Sequence, residues 1–128
     1  MESTKTKLEK ACLGVMMMSE TDYPFEYFSL AEDDHNENNI FIYSNRLNGP
    51  VEIISLEYLF RNMMKVYSDS SDEEEESAER FQNLMNVLNA ELRSVKVYRI
   101  GIMKVEVYIA GISLEGVVEG LKTRLIET

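Results

Sequence analysis

The stretch Val95-Lys96-Val97-Tyr98-Arg99-Ile100-Gly101-Ile102-Met103-Lys104-Val105-Glu106-Val107-Tyr108-Ile109-Ala110 decides the fold. It reads as two strands, Val95 to Ile100 and Met103 to Ala110, rich in β-branched and aromatic residues and joined at Gly101-Ile102. Val105, Val107 and Ile109 share one face, because successive strand side chains alternate. Upstream, Phe81, Leu84, Met85, Leu88 and Leu92 recur at helical spacing, so a helix runs into the first strand. Downstream, Gly111, Gly116 and Gly120 break the chain before a last strand, Leu121 to Ile126.

Nearer the start, Thr6-x-x-Glu9 forms a capping box with Leu8, Ala11, Cys12 and Val15 behind it, which predicts a helix over 4–17. Pro24 to Leu30 reads as a strand apolar on both faces, and Ile40 to Tyr43 repeats that character. Such strands imply a sheet covered on both sides. Asp33 to Asn39 is a polar connection and Asn48-Gly49-Pro50 a turn signal. Ser55 caps a further helix with Leu56, Leu59, Phe60 and Met63 on one stripe. Three helices and about five strands, with no internal repeat and no long linker, predict one α+β domain over residues 1–128. Phe25, Ile42, Leu59, Phe81, Leu84, Leu88, Val105, Val107 and Ile109 are expected to share its core.

The formal charge is -10, beyond the usual ~2–8 of a small domain. Asp69, Asp72, Glu73, Glu74, Glu75 and Glu76 supply six of the 23 acids with no base among them, so most of the excess is one local run. That run has no apolar anchor and predicts a mobile loop merging into the next helix. Ser71-x-x-Glu74 offers the alternative of a capping box. The sign disfavours nucleic acid and anionic membrane as partners and favours a basic protein. Cys12 is the single cysteine, which excludes an intramolecular disulfide and suits a reducing compartment. No run has the length of a spanning helix, and Val15 to Met18 is too short for a signal-peptide core. The expectation is a cytoplasmic protein, monomeric when free.

Met18-Ser19-Glu20-Thr21-Asp22-Tyr23-Pro24-Phe25-Glu26-Tyr27-Phe28 falls where a helix pattern gives way to a strand pattern. Pro24 fixes its own φ and biases Tyr23 toward extended backbone. Tyr23 and Phe25 can pin the loop to the core while Glu20 and Asp22 stay in water. This segment resembles the matching segment of the nuclease A inhibitor family, small acidic inhibitors of a sugar-non-specific nuclease. Phe81-Gln82, Val97-Tyr98-Arg99-Ile100-Gly101, Val107-Tyr108 and Glu127-Thr128 carry the same resemblance. It runs from about Leu8 to the last residue and is weakest over Ala31 to Pro50 and Lys65 to Ala78.

The resemblance implies a three-layer α/β/α sandwich around a mixed, largely antiparallel sheet. It also implies no cofactor and no metal of the chain's own. Glu20 and Thr128 would approach the active-site magnesium of a bound metal-dependent nuclease. Asp22, Glu127, Tyr67 and Asp69 are the further candidate contacts. In the family's prototype the region around Asp69 and Ser70 has aromatic character, which Tyr67 would have to supply here. Magnesium takes hard oxygen ligands and keeps several waters, so an intruding hydroxyl or carboxylate has positions to occupy.

Each candidate has a plainer reading: Glu20 as an ordinary loop carboxylate, Thr128 as a frayed end, Cys12 as core. Met16 to Met18 with Met63 and Met64 read first as helix-end core and second as an adaptable binding surface. His35, the only histidine, falls in a polar loop without a second metal ligand. There is no Gly-rich phosphate loop and no buried Ser-His-Asp set, so an enzyme is disfavoured. The functional alternative is an acidic interaction module of the same fold with an unrelated basic partner.

Overall fold

The computed structural model describes residues 2–18, 20–45 and 49–127. Among them the order is α1 (Thr4–Cys12), β1 (Met16–Met17), β2 (Tyr23–Pro24), β3 (Glu26–Leu30), α2 (Glu37–Ser44), β4 (Val51–Ile54), α3 (Leu56–Phe60), α4 (Asp72–Glu91), β5 (Leu92–Ile100), β6 (Lys104–Ser113) and β7 (Val118–Ile126). The fold is α+β. Five strands form one sheet in the order β3-β7-β6-β5-β4, and β1 and β2 form a separate two-stranded ribbon. Every described pairing is antiparallel, so the sheet is not mixed.

The hairpin read from the sequence is the centre of this sheet. Arg99 pairs with Val107 and Tyr98 with Tyr108. Alternation sends Val97, Val107 and Ile109 to one face and Tyr98, Tyr108 and Ala110 to the other. The first face packs against Leu8 and Cys12 of α1, Leu59 and Phe60 of α3, and Phe81, Leu84 and Leu88 of α4. At its centre Phe25, Phe60 and Phe81 meet edge to face, with ring centroids 5.2–6.4 Å apart. The second face packs against Ile40 and Phe41 of α2, with Tyr43 over Phe28 and Tyr108. The expected core is therefore observed except for Ile42, which is largely exposed.

Ile42 fails because Ile40 to Tyr43 is helix, not strand. Asn36 and Asn39 form a reciprocal capping box, each side-chain oxygen accepting from the other's backbone N–H at 2.9 Å. Helical spacing then buries Ile40 and turns Ile42 to solvent. The acidic run is also not a mobile loop. The Ser71/Glu74 capping box starts α4 at Asp72, and Asp72 to Glu75 form its first turn, where carboxylates complement the helix dipole. Helix α1 stops at Cys12 rather than near residue 17, because Leu13 is extended and Gly14 takes φ +77°. Leu92 opens β5 instead of closing the helix, and β4 is a strand between Pro50 and the Ser55 cap, while Asn48 of the expected turn lies outside the described residues. Gly111 and Gly120 lie inside strands. A side chain at Gly120 would place its Cβ 1.8 Å from the Ile109 carbonyl oxygen, so only glycine fits between β6 and β7 there.

His35 is buried rather than solvated. Its Nδ1 is 2.7 Å from the Tyr98 hydroxyl and its Nε2 is 2.8 Å from the Ser94 carbonyl. The carbonyl can only accept, so Nε2 carries the proton and Nδ1 accepts from Tyr98. Burial holds the His35 pKa below its ordinary value and pushes the Tyr98 phenol up to about 12.

Candidate functional site

The loop between β1 and β2 is short and anchored at both ends. Met17 and Phe25 are buried, and Met17 pairs with Tyr23 and Met16 with Pro24. The Thr123 hydroxyl of β7 lies 2.9 Å from the Pro24 carbonyl, to which it donates, and this fastens the ribbon to the sheet. Phe25 thus pins the loop as expected, while Tyr23 is only half buried and contributes mainly through its backbone. Glu20 and Asp22 are exposed on the loop between these anchors.

The Glu20 amide donates to the Ile126 carbonyl at 3.3 Å. One residue on, the Glu127 amide donates to the Met103 carbonyl at 2.8 Å. The end of β7 is therefore gripped on both sides, by the Glu20 loop and by the β5–β6 turn. The Glu127 side chain forms an ion pair with Arg99, whose other terminal nitrogen reaches Glu52 of β4 at 2.9 Å. A cation fixed between two strands of the sheet thus directs the tail. Arg99 belongs to a block quoted above for its resemblance, but its role had no local signal. Its partners come from β4 and from residue 127, far away in the chain.

Thr128 lies outside the described residues. The structure brings Glu20 next to residues 126–127, and Asp22 follows on the same loop. Tyr67 and Asp69 are exposed in the connection from α3 to α4, where the Tyr67 amide donates to the Ser70 hydroxyl at 2.8 Å and the Ser70 amide donates to the Tyr67 carbonyl at 3.0 Å. Helix α4 ends where β5 begins, beside Ser113 and the turn before β7, which is the end of the sheet remote from Glu20. Its 20 residues span ~30 Å, similar to the nine residues of β5. The α1 segment around Leu13, which leads into β1, lies with Glu76, Glu79, Arg80 and Asn83 of α4 around one shallow groove. The acidic start of α4 therefore points toward the end of the molecule that carries Glu20.

Of the methionines, Met17 is core and Met63 and Met64 pack partly against it, while Met16 and Met18 are partly exposed. Cys12 is buried in the core. Among the described residues no group of three or more His, Cys, Asp and Glu is placed to hold a metal. Among the described residues no helix is long and apolar enough to cross a membrane. The arrangement places the exposed carboxylates of Glu20 and Asp22 on a loop bonded to the end of β7.

No curated protein sequence matches the chain. The family model described as nuclease A inhibitor-like protein matches residues 2–128, and it covers the anchored loop, the central hairpin and the clamped tail alike. The chain belongs to the nuclease A inhibitor-like protein family.

Proposed function

We propose that this protein inhibits a metal-dependent, sugar-non-specific nuclease by entering its active site, and that it is not itself an enzyme. Glu20 and Thr128 act at the nuclease's magnesium, occupying the place of a scissile phosphate. Asp22 and Glu127 add negative charge at the same tip. The observation that carries this reading is the hydrogen bond from Glu20 to Ile126, which unites the two segments that the family resemblance singles out. A nuclease cleft is built to attract phosphate, so an acidic tip matches it in charge. The single buried thiol suits a reducing, cytoplasmic setting, and the free inhibitor is taken as a monomer.

The Glu20 backbone is already hydrogen-bonded to the tail, and such preorganisation lowers the entropy lost on binding. The neighbouring tail is held by the Met103 carbonyl and by Arg99. A carboxylate and a hydroxyl are hard oxygen ligands of the kind a hydrated magnesium ion accepts by exchanging waters.

The test is titration against a panel of magnesium-dependent, sugar-non-specific nucleases, with DNA hydrolysis as readout. Inhibition is expected, and Glu20→Gln should weaken it by about 2–5 kcal/mol. Asp22→Asn, which removes charge without removing a metal ligand, should weaken it less. Thr128→Ala should also weaken inhibition, through loss of the hydroxyl. A wild-type protein that inhibits no member of the panel would refute the reading.

A further inference from the structure

The tip that carries Glu20 is not only acidic. Ile102 is 74% exposed and Met103 63% exposed at the turn between β5 and β6, and Met18, two residues from Glu20, is 45% exposed. Single exposed hydrophobic residues are ordinary, but two in succession at a turn that bonds the tail call for a reason. The junction is explicit: the Met103 carbonyl receives the Glu127 amide, and the Ile126 carbonyl receives the Glu20 amide. The apolar turn and the acidic loop therefore flank the same two residues of the tail. Arg99 bonds the same tail from the sheet, so the turn, the tail and the loop form one supported unit.

We infer that Ile102 and Met103 form an apolar contact surface for the inhibited nuclease, seated on an apolar lip next to its positively charged cleft. This rests on the inhibitory reading above. The charges around the patch select that occupant. Glu20, Asp22, Glu52 and Glu127 outnumber Arg99 and Lys104 there, and the chain carries -10 overall. A second copy of this chain docked tip to tip would bring these carboxylates together, and an anionic lipid surface would be repelled. A basic protein with an apolar rim meets neither objection. The division of labour follows: exposed acids accelerate encounter, while buried apolar area holds the complex once formed.

The test uses the double variant Ile102→Ser/Met103→Ser beside wild type and Glu20→Gln, with any nuclease from the panel that the wild type inhibits. Association and dissociation rates are measured at low salt and at about 0.3 M salt. Burying two large side chains predicts that the double variant dissociates about 10–100-fold faster, while its association rate and salt dependence stay within about threefold of wild type. Its melting temperature should not change, because both side chains point to solvent and the Met103 carbonyl bond is made by backbone. Dissociation at the wild-type rate, with Glu20→Gln weakened, would overturn the apolar surface and leave the inhibitory reading standing. A slowed, salt-sensitive association in place of faster dissociation would also overturn it. So would sedimentation showing a wild-type dimer that the double variant loses, since the occupant would then be a second copy. If the wild type inhibits no nuclease of the panel, the inhibitory reading falls and this surface falls with it.

Discussion

Replacing Arg99 with methionine should separate inhibition from stability. Arg99 joins Glu52 and Glu127, and its side chain is 23% exposed against 61% and 47% for its partners. Ion pairs this open to solvent contribute about 0–1 kcal/mol each, so losing both should cost no more than about 1–2 kcal/mol. For a chain of this length that is a fall in melting temperature of roughly 3–8 °C. Methionine keeps most of the buried stem in place. The effect on inhibition has another source. Without the guanidinium, the tail keeps its bond to the Met103 carbonyl but loses the contact that fixes its direction. Re-ordering about one residue on binding costs about 1–2 kcal/mol, which is roughly 5–30-fold in the inhibition constant. The assay is paired: thermal unfolding for stability, and inhibition of a nuclease that the wild type blocks. Glu127→Gln should give part of the same loss, and the double variant should be less than additive. An Arg99→Met protein that inhibits within twofold of wild type would show that the clamp does not direct the tail.

Phe81→Ala should destabilise the fold by about 3–5 kcal/mol in denaturant unfolding, because Phe81 is 1% exposed and meets both Phe25 and Phe60; a cost below about 1 kcal/mol would contradict the core described here. His35 should titrate below its ordinary pKa, since burial favours the neutral ring that accepts from Tyr98. The unfolded state then binds the proton more readily, so this stabilisation is complete above about pH 6.5 and is lost as pH falls through the lower folded value. The wild-type advantage over His35→Gln in thermal unfolding should therefore shrink on acidification, and a growing advantage would reverse the assignment. Neutralising Asp72 to Glu76 should slow association with a basic nuclease more than it speeds dissociation, and should weaken the α4 terminus by removing carboxylates from its first turn. Equal association rates at low salt would remove the steering role.

The central hairpin, the Phe81 helix and the Ser55 cap were legible in the sequence because each is written in local spacing. The same local logic failed at Ile40 to Tyr43, where an apolar, β-branched and aromatic run suits either state. The decision lies in the preceding asparagines, whose mutual capping fixes a helix. At Asp72 to Glu76 charge suggested disorder, yet carboxylates are favourable at a helix start and Ser71 with Glu74 supplies the cap. His35 and Arg99 were unreadable for a different reason. The His35 partner Tyr98 is 63 positions away in the chain, and Arg99 bridges two strands that only the folded sheet brings together. Glu20 was singled out by family resemblance joined to loop chemistry, and the Met103 bond to the tail had no signal of either kind.

The sheet order also bears on how the molecule is made. Strand β7 lies between β3 and β6, so among the described residues the sheet partners of 26–30 are residues 118–122 alone. A nascent chain that has emerged only as far as Gly116 exposes β3 as an unpaired strand and lacks one side of its own sheet. Pairing over such sequence distance is slow, since the loop must close before the contact is made. The strand that completes the fold is also the one that carries Ile126 and Glu127 to the tip. A product truncated before β7 would therefore leave β3 unpaired and could not form the bond between Glu20 and Ile126.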